Sequence, residues 1–160
     1  MREANDSLKP PAEKDAPNLI DAGERRRLAA LVLERRAMAL AVLGERELAD
    51  GRADELGTML RNAGEPRADE RARALKGWIA ARAGDEKAAL AGLEKATAPS
   101  MRLAYALALA KSDAARARPV MEELARRASN DAETALAHPR AAAWLRANPA
   151  GASPSTTAAR

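Results

Sequence analysis

Phenylalanine and cysteine are missing from this chain of 160 residues, which has only one tyrosine, two tryptophans and one histidine. Without cysteine there can be no disulfide and no thiolate metal site, and thiol usage reveals nothing about redox compartment. The single imidazole, His138, has neither a second histidine nor a thiol beside it. A transition-metal site is therefore not expected, and no cofactor is assigned. His138 precedes Pro139 and reads as a turn or helix-end residue. Residues that favour strands are too scarce to build a sheet. The patterns G-x-S-x-G, G-x-x-x-x-G-K-[ST] and H-E-x-x-H do not occur, so no catalytic residue is named and the chain is read as a non-enzyme. Apolar runs such as 37–43 fall short of the roughly 20 residues that span a bilayer. Residues 1–17 hold no apolar core of a signal peptide. The expectation is a cytoplasmic protein with no membrane span.

What the chain has is alanine and arginine. Apolar residues make up 47%, and alanine supplies much of that share. Alanine is the strongest helix former and lets helix backbones approach closely. Arginine far outnumbers lysine, which together with the alanine content reads as GC-rich coding. The net charge of +4 is concentrated late, where residues 99–160 carry nine basic and five acidic side chains. Acids and bases are otherwise interleaved, as in Glu122 and Arg126, a pair at i,i+4 spacing that belongs to a solvated helix face. Arg25, Arg26 and Arg27 with Arg35 and Arg36 form the densest basic block, matched by Glu24 and Glu34.

Along the chain, residues 1–18 read as a disordered arm, rich in proline and charge. Asp21 reads as an N-cap, with Glu24 three residues on. One long helix, or two that abut near Arg35, then runs to a stop at Asp50-Gly51. A second helix covers 52–62. Asp69 is expected to cap a helix running to Ala83, Asp85 the next, Ser100 a helix over 101–111, and Asp113 one over 114–128. Asn130 or Asp131 opens a short helix that His138-Pro139 breaks, and 140–147 adds a last turn or two. Residues 149–160 read as a disordered tail. The helical domain therefore spans 19–148.

A spacing of 33 residues recurs. It relates Gly44 to Gly77, Gly51 to Gly84, Leu60 to Leu93, Ala63 to Ala96 and Pro66 to Pro99. Leu56-x3-Leu60, Ala89-x3-Leu93 and Ala117-x3-Met121 each begin 12 residues after Gly44, Gly77 and Tyr105. A fixed period of this length marks a duplicated helical unit. The ankyrin signature T-P-L-H is absent. The pattern resembles the tetratricopeptide repeat, whose units place a small residue in the first helix and an A-x3-F pair in the second. The resemblance covers roughly residues 37–128. It departs from the family where Arg73 and Ala80 replace the usual aromatics, and the two prolines come about two residues early. Another right-handed hairpin array and a plain helical bundle are the alternatives.

The resemblance implies an all-α, right-handed helical-hairpin array, an α-solenoid of about three helix pairs with capping helices. Such stacks hold partner proteins on an inner surface lined by the first helix of each pair. The family's register points Met38, Glu45, Arg71, Trp78, Arg82 and Arg102 inward. An indole among guanidiniums suits an acidic or C-terminal peptide segment of a partner protein, because arginine binds carboxylates through two parallel bonds. Trp78 has two readings, groove residue and packing residue, and Trp144 reads as a plug of the C-terminal cap. The runner-up function is a nucleic-acid-associated regulator using the basic last third. It is the weaker reading, since only Trp78, Tyr105 and Trp144 could stack on bases.

Overall fold

The computed structural model describes residues 21–127 and 131–149. The expected disordered arm and most of the tail lie outside them. The described residues form seven α-helices and no strand: α1 (Ala22–Val42), α2 (Arg46–Asn62), α3 (Ala68–Arg82), α4 (Glu86–Leu93), α5 (Pro99–Ser112), α6 (Ala114–Arg126) and α7 (Ala132–Ala147). The protein is all-α, as its composition demands.

Each helix packs on the next, and each odd-numbered helix also packs on the next odd-numbered one. Among the described residues α2 does not meet α4, and α4 does not meet α6. The odd helices therefore form a continuous layer, with the even helices separated behind it.

Local signals explain most boundaries. Asp21, Asp85, Asp113 and Asp131 accept a hydrogen bond from the backbone N–H three residues on, as N-caps do. Three connections share one stop, a glycine at φ between +72° and +86°. After Gly44, Gly64 and Gly84, the N–H of the following acidic residue donates back to the carbonyls of Leu40, Leu60 and Ala80. This closes the helix end in the Schellman manner.

Four sequence expectations are corrected. The first turn is at Gly44, with φ +86°, and Asp50-Gly51 lies inside α2. Asp69 lies inside α3, which begins at Ala68 without a side-chain cap. Ser100 is the second residue of α5, whose first residue is Pro99, where proline's missing N–H costs nothing. Finally, α7 runs unbroken through His138-Pro139. The missing bond from Pro139 would have ended on Ala135 O, and both residues lie on the exposed side, where water can satisfy that carbonyl.

The core is built largely of alanine. Of the 25 buried apolar side chains among the described residues, 15 are alanine, so the helices can sit close together. At the α3–α4 crossing Gly77 and Gly92 bring the two backbones into direct contact. Leu56, Leu75, Ile79 and Leu93 anchor one cluster across α1 to α5. Leu103, Met121 and Leu124 anchor a second across α5 to α7, where Trp144 packs as the expected plug.

Candidate functional site

Trp78 sits two-thirds of the way along α3. Its helix neighbours Arg71 and Arg82 fall on the same stripe, because seven and four residues are each close to whole turns. Trp78 is half-buried and packs against the first cluster. It also lines an open groove with Arg82, and α5 supplies the facing wall through Leu103, Leu107 and Lys111. Arg140 of α7 closes one side, and Glu86 is the single carboxylate on the rim. Three successive odd helices thus contribute side chains to one depression. Trp78 is thus in part packed against the cluster and in part open to the groove.

The electrostatics of this groove are one-sided. Arg82, Lys111 and Arg140 make no side-chain hydrogen bond or ion pair among the described residues. Most other arginines do. Arg71 is paired with Glu34 at 3.0 Å, Arg46 with Asp85 at 3.0 Å, and Arg35 with Glu133 at 2.8 Å. The Arg35–Glu133 pair joins the first helix to the last, and Ser100 donates to the same carboxylate at 3.1 Å.

The six residues expected to point inward do not form one surface. Trp78 and Arg82 meet in the groove. Arg71 shares their stripe but turns to Glu34 near the start of α3. Met38 packs half-buried against the first cluster on α1. Glu45 is a turn residue, the N-cap of α2, and its N–H is bound to Leu40 O. Arg102 points toward α6, pairs with Glu123 at 3.3 Å and lies over the Tyr105 ring at 5.7 Å. It sits about 100° around α5 from the groove residue Leu103, a single step along the helix.

Lys111, Leu107 and Arg140 were missed by the sequence reading. The spacing of Leu103, Leu107 and Lys111 at four-residue steps was available as a signal. Arg140 was hidden by the expected break at Pro139, which removed α7 as a continuous helix.

Carboxyl groups with displaced pKa values serve structure. Bonds from backbone N–H groups hold Asp21, Asp85 and Asp131 below the usual carboxylate range. Arg127, and then Arg102, do the same for Glu123. None of the four lines the groove. No cluster of three metal-ligating side chains occurs among the described residues, and no helix there is long and apolar enough to cross a membrane. No known protein family, curated protein or solved structure matches the chain.

Proposed function

We propose that this protein is a non-enzymatic protein-interaction module, an adaptor, scaffold or chaperone-like subunit that holds an acidic segment of a partner. The observation that carries the reading is the groove of α3, α5 and α7. There an indole edge and two leucines are bordered by three cations without partners among the described residues. An extended or helical segment would place an apolar side chain between Trp78 and Leu107. Its carboxylates, from side chains or a C-terminus, would reach Arg82, Lys111 and Arg140. Arginine and tryptophan are the side chains that most often dominate binding energy at interfaces. Glu86 would repel a carboxylate placed at its own edge and so help fix register.

The same reading takes the molecule as a right-handed helical-hairpin array of tetratricopeptide type. The continuous layer of odd helices and the separated even helices support it, since a curved stack brings the inner helices together and spreads the outer ones. The basic last third favours no second reading. There Arg102, Arg116, Arg118 and Arg127 each face a carboxylate within 4.0 Å.

The test uses a labelled peptide bearing one leucine among glutamates, titrated by fluorescence anisotropy. Arg82→Glu and Arg140→Glu should each weaken binding about tenfold or more, because the partner's carboxylates would then meet a like charge. Affinity that both variants leave unchanged would remove the groove from the proposal.

A further inference from the structure

We propose that the exposed apolar face of α1 is a second docking surface, one that takes an amphipathic helix of another protein whose apolar seam is flanked by aspartate or glutamate. The argument starts from α1 having two apolar faces. Ala30 and Ala37 are buried against the body of the protein. On the opposite side Leu28, Leu31, Val32, Val42 and Leu43 are exposed, from 42% at Leu31 to 75% at Leu43. At about 100° per residue, Val32, Ala39 and Leu43 all fall within about 60° of Leu28, while Ala30 and Ala37 lie about 160° to 180° away. Leu31 and Val42 fall within about 60° on the other side, so the exposed residues form a band along four turns, interrupted at its middle turn by Arg35, which lies about 20° from Leu28 and is turned to Glu133 of α7. Isolated exposed leucines are ordinary, but two apolar patches in line on one helix, Leu28–Leu31–Val32 and Ala39–Val42–Leu43, mark an interaction surface.

Charge on the borders selects the occupant. Helix α1 carries five arginines and two glutamates. Glu34 is taken by Arg71 and Arg35 by Glu133. Arg25, Arg27 and Arg36 have no hydrogen-bond or ion-pair partner among the described residues, and Arg26 reaches only the carbonyl of Ala22. Arg25 and Arg36 are 11 residues apart, about three turns, so they stand on the same edge of the stripe, roughly 16 Å from each other. A partner helix with acids at that spacing would pair with both while its seam covers the leucines.

Two other occupants fit less well. A second copy of α1 packed antiparallel across a two-fold axis would set the Arg25–Arg36 edge against itself. An anionic membrane favours an uninterrupted apolar face with tryptophan or phenylalanine, and this band has Arg35 at its centre and has neither.

The chain lacks cysteine, so Ala29→Cys places a single polarity-sensitive fluorophore at the edge of the stripe in the full chain. Two synthetic helical peptides share one leucine seam and differ only in glutamate or lysine flanks. The glutamate-flanked peptide should shift the emission to the blue and bind at least about tenfold more tightly than the lysine-flanked one. Arg25→Glu combined with Arg36→Glu should invert that preference. Val32→Asp should abolish binding of both peptides without changing the melting temperature, because the residue is exposed. Arg82→Glu should leave this binding intact, which separates it from the groove. Any of four results overturns the proposal. They are no binding or no preference between the peptides, a blue shift with phosphatidylglycerol vesicles in their place, a shift that grows with protein concentration alone as a dimer forms, and a blue-shifted probe at nanomolar protein before anything is added, meaning that the chain covers its own stripe.

Discussion

Gly77 and Gly92 are where this alanine-built core is least forgiving. A Cβ on Gly77 would lie 2.8 Å from backbone atoms of Gly92, and one on Gly92 would lie 2.5 Å from Gly77 Cα. Both obstacles are backbone, so relief requires moving α3 away from α4. Gly77→Ala and Gly92→Ala should each destabilise by about 1–3 kcal/mol, the usual range for overpacking. The double variant should cost less than the sum, since one displacement relieves both clashes. Calorimetric melting of the three variants checks this, and an unchanged melting temperature for either single variant would refute the close crossing. Trp78, the neighbour of Gly77, divides its role. Trp78→Ala should lower stability by about 2 kcal/mol, less than the 3–5 of a fully buried tryptophan, and should also weaken binding of the acidic peptide. Arg82→Glu should weaken binding alone and move stability by no more than about 0.5 kcal/mol, as expected of an exposed site. Equal loss of stability in both variants would mean that Arg82 is structural.

At the scale of the helix, the 33-residue spacing located faces better than ends. Leu56 and Leu60, Ala89 and Leu93, the pairs it relates, and Ala117 and Met121, assigned from the 12-residue offset after Tyr105, are all buried. The turn it assigned to the first unit was wrong by seven residues, at Gly51 where the chain turns at Gly44. Seven residues are about two helical turns, so moving the loop that far leaves the buried face in place and the apolar pattern cannot reveal the shift. The correction is testable through two glycines. Gly44→Ala should destabilise by about 1 kcal/mol, because φ +86° strains any residue with a Cβ. Gly51→Ala should stabilise by roughly 0.5–1 kcal/mol, because Gly51 is exposed inside α2 with open space around it. The opposite signs in urea unfolding would restore the turn at Gly51. The caps add a pH dependence. Asp21, Asp85 and Asp131 have folded pKa values below their usual 3.8. Their stabilisation is therefore complete above about pH 5, where folded and unfolded carboxyls are both ionised, and is lost as pH falls through the folded values. Urea unfolding should show stability dropping below about pH 4, with a smaller drop for Asp85→Asn. Stability that rises between pH 5 and pH 3 would contradict this account of the caps.

Across the whole molecule, the described helices pack on their neighbours around two clusters and not around one centre. Helix α3 packs on α1, α2, α4 and α5, whereas among the described helices α7 packs on α5 and α6 and reaches α1 only through an ion pair. The two clusters meet at α5, which gives Met101 and Ala108 to the first and Leu103 and Ala106 to the second. If the helices stack as the proposed hairpin array, an end can open while the rest stays folded. The Arg35–Glu133 pair opposes that opening, but Arg35 is half exposed, and an ion pair so hydrated is weak. Hydrogen exchange under native conditions should therefore show the slowest amides in α3 and faster ones in α6 and α7. Leu124→Ala leaves a cavity in the second cluster, with a cost of about 2–5 kcal/mol expected for a buried leucine. It should speed exchange in α6 and α7 while α2 and α3 keep their protection. The groove would respond as well, because Arg140 rides on α7. The same variant should lose affinity for the acidic peptide before its first cluster melts. Exchange accelerated equally in all seven helices would mean a single cooperative unit, and the groove would then share its stability with every helix behind it.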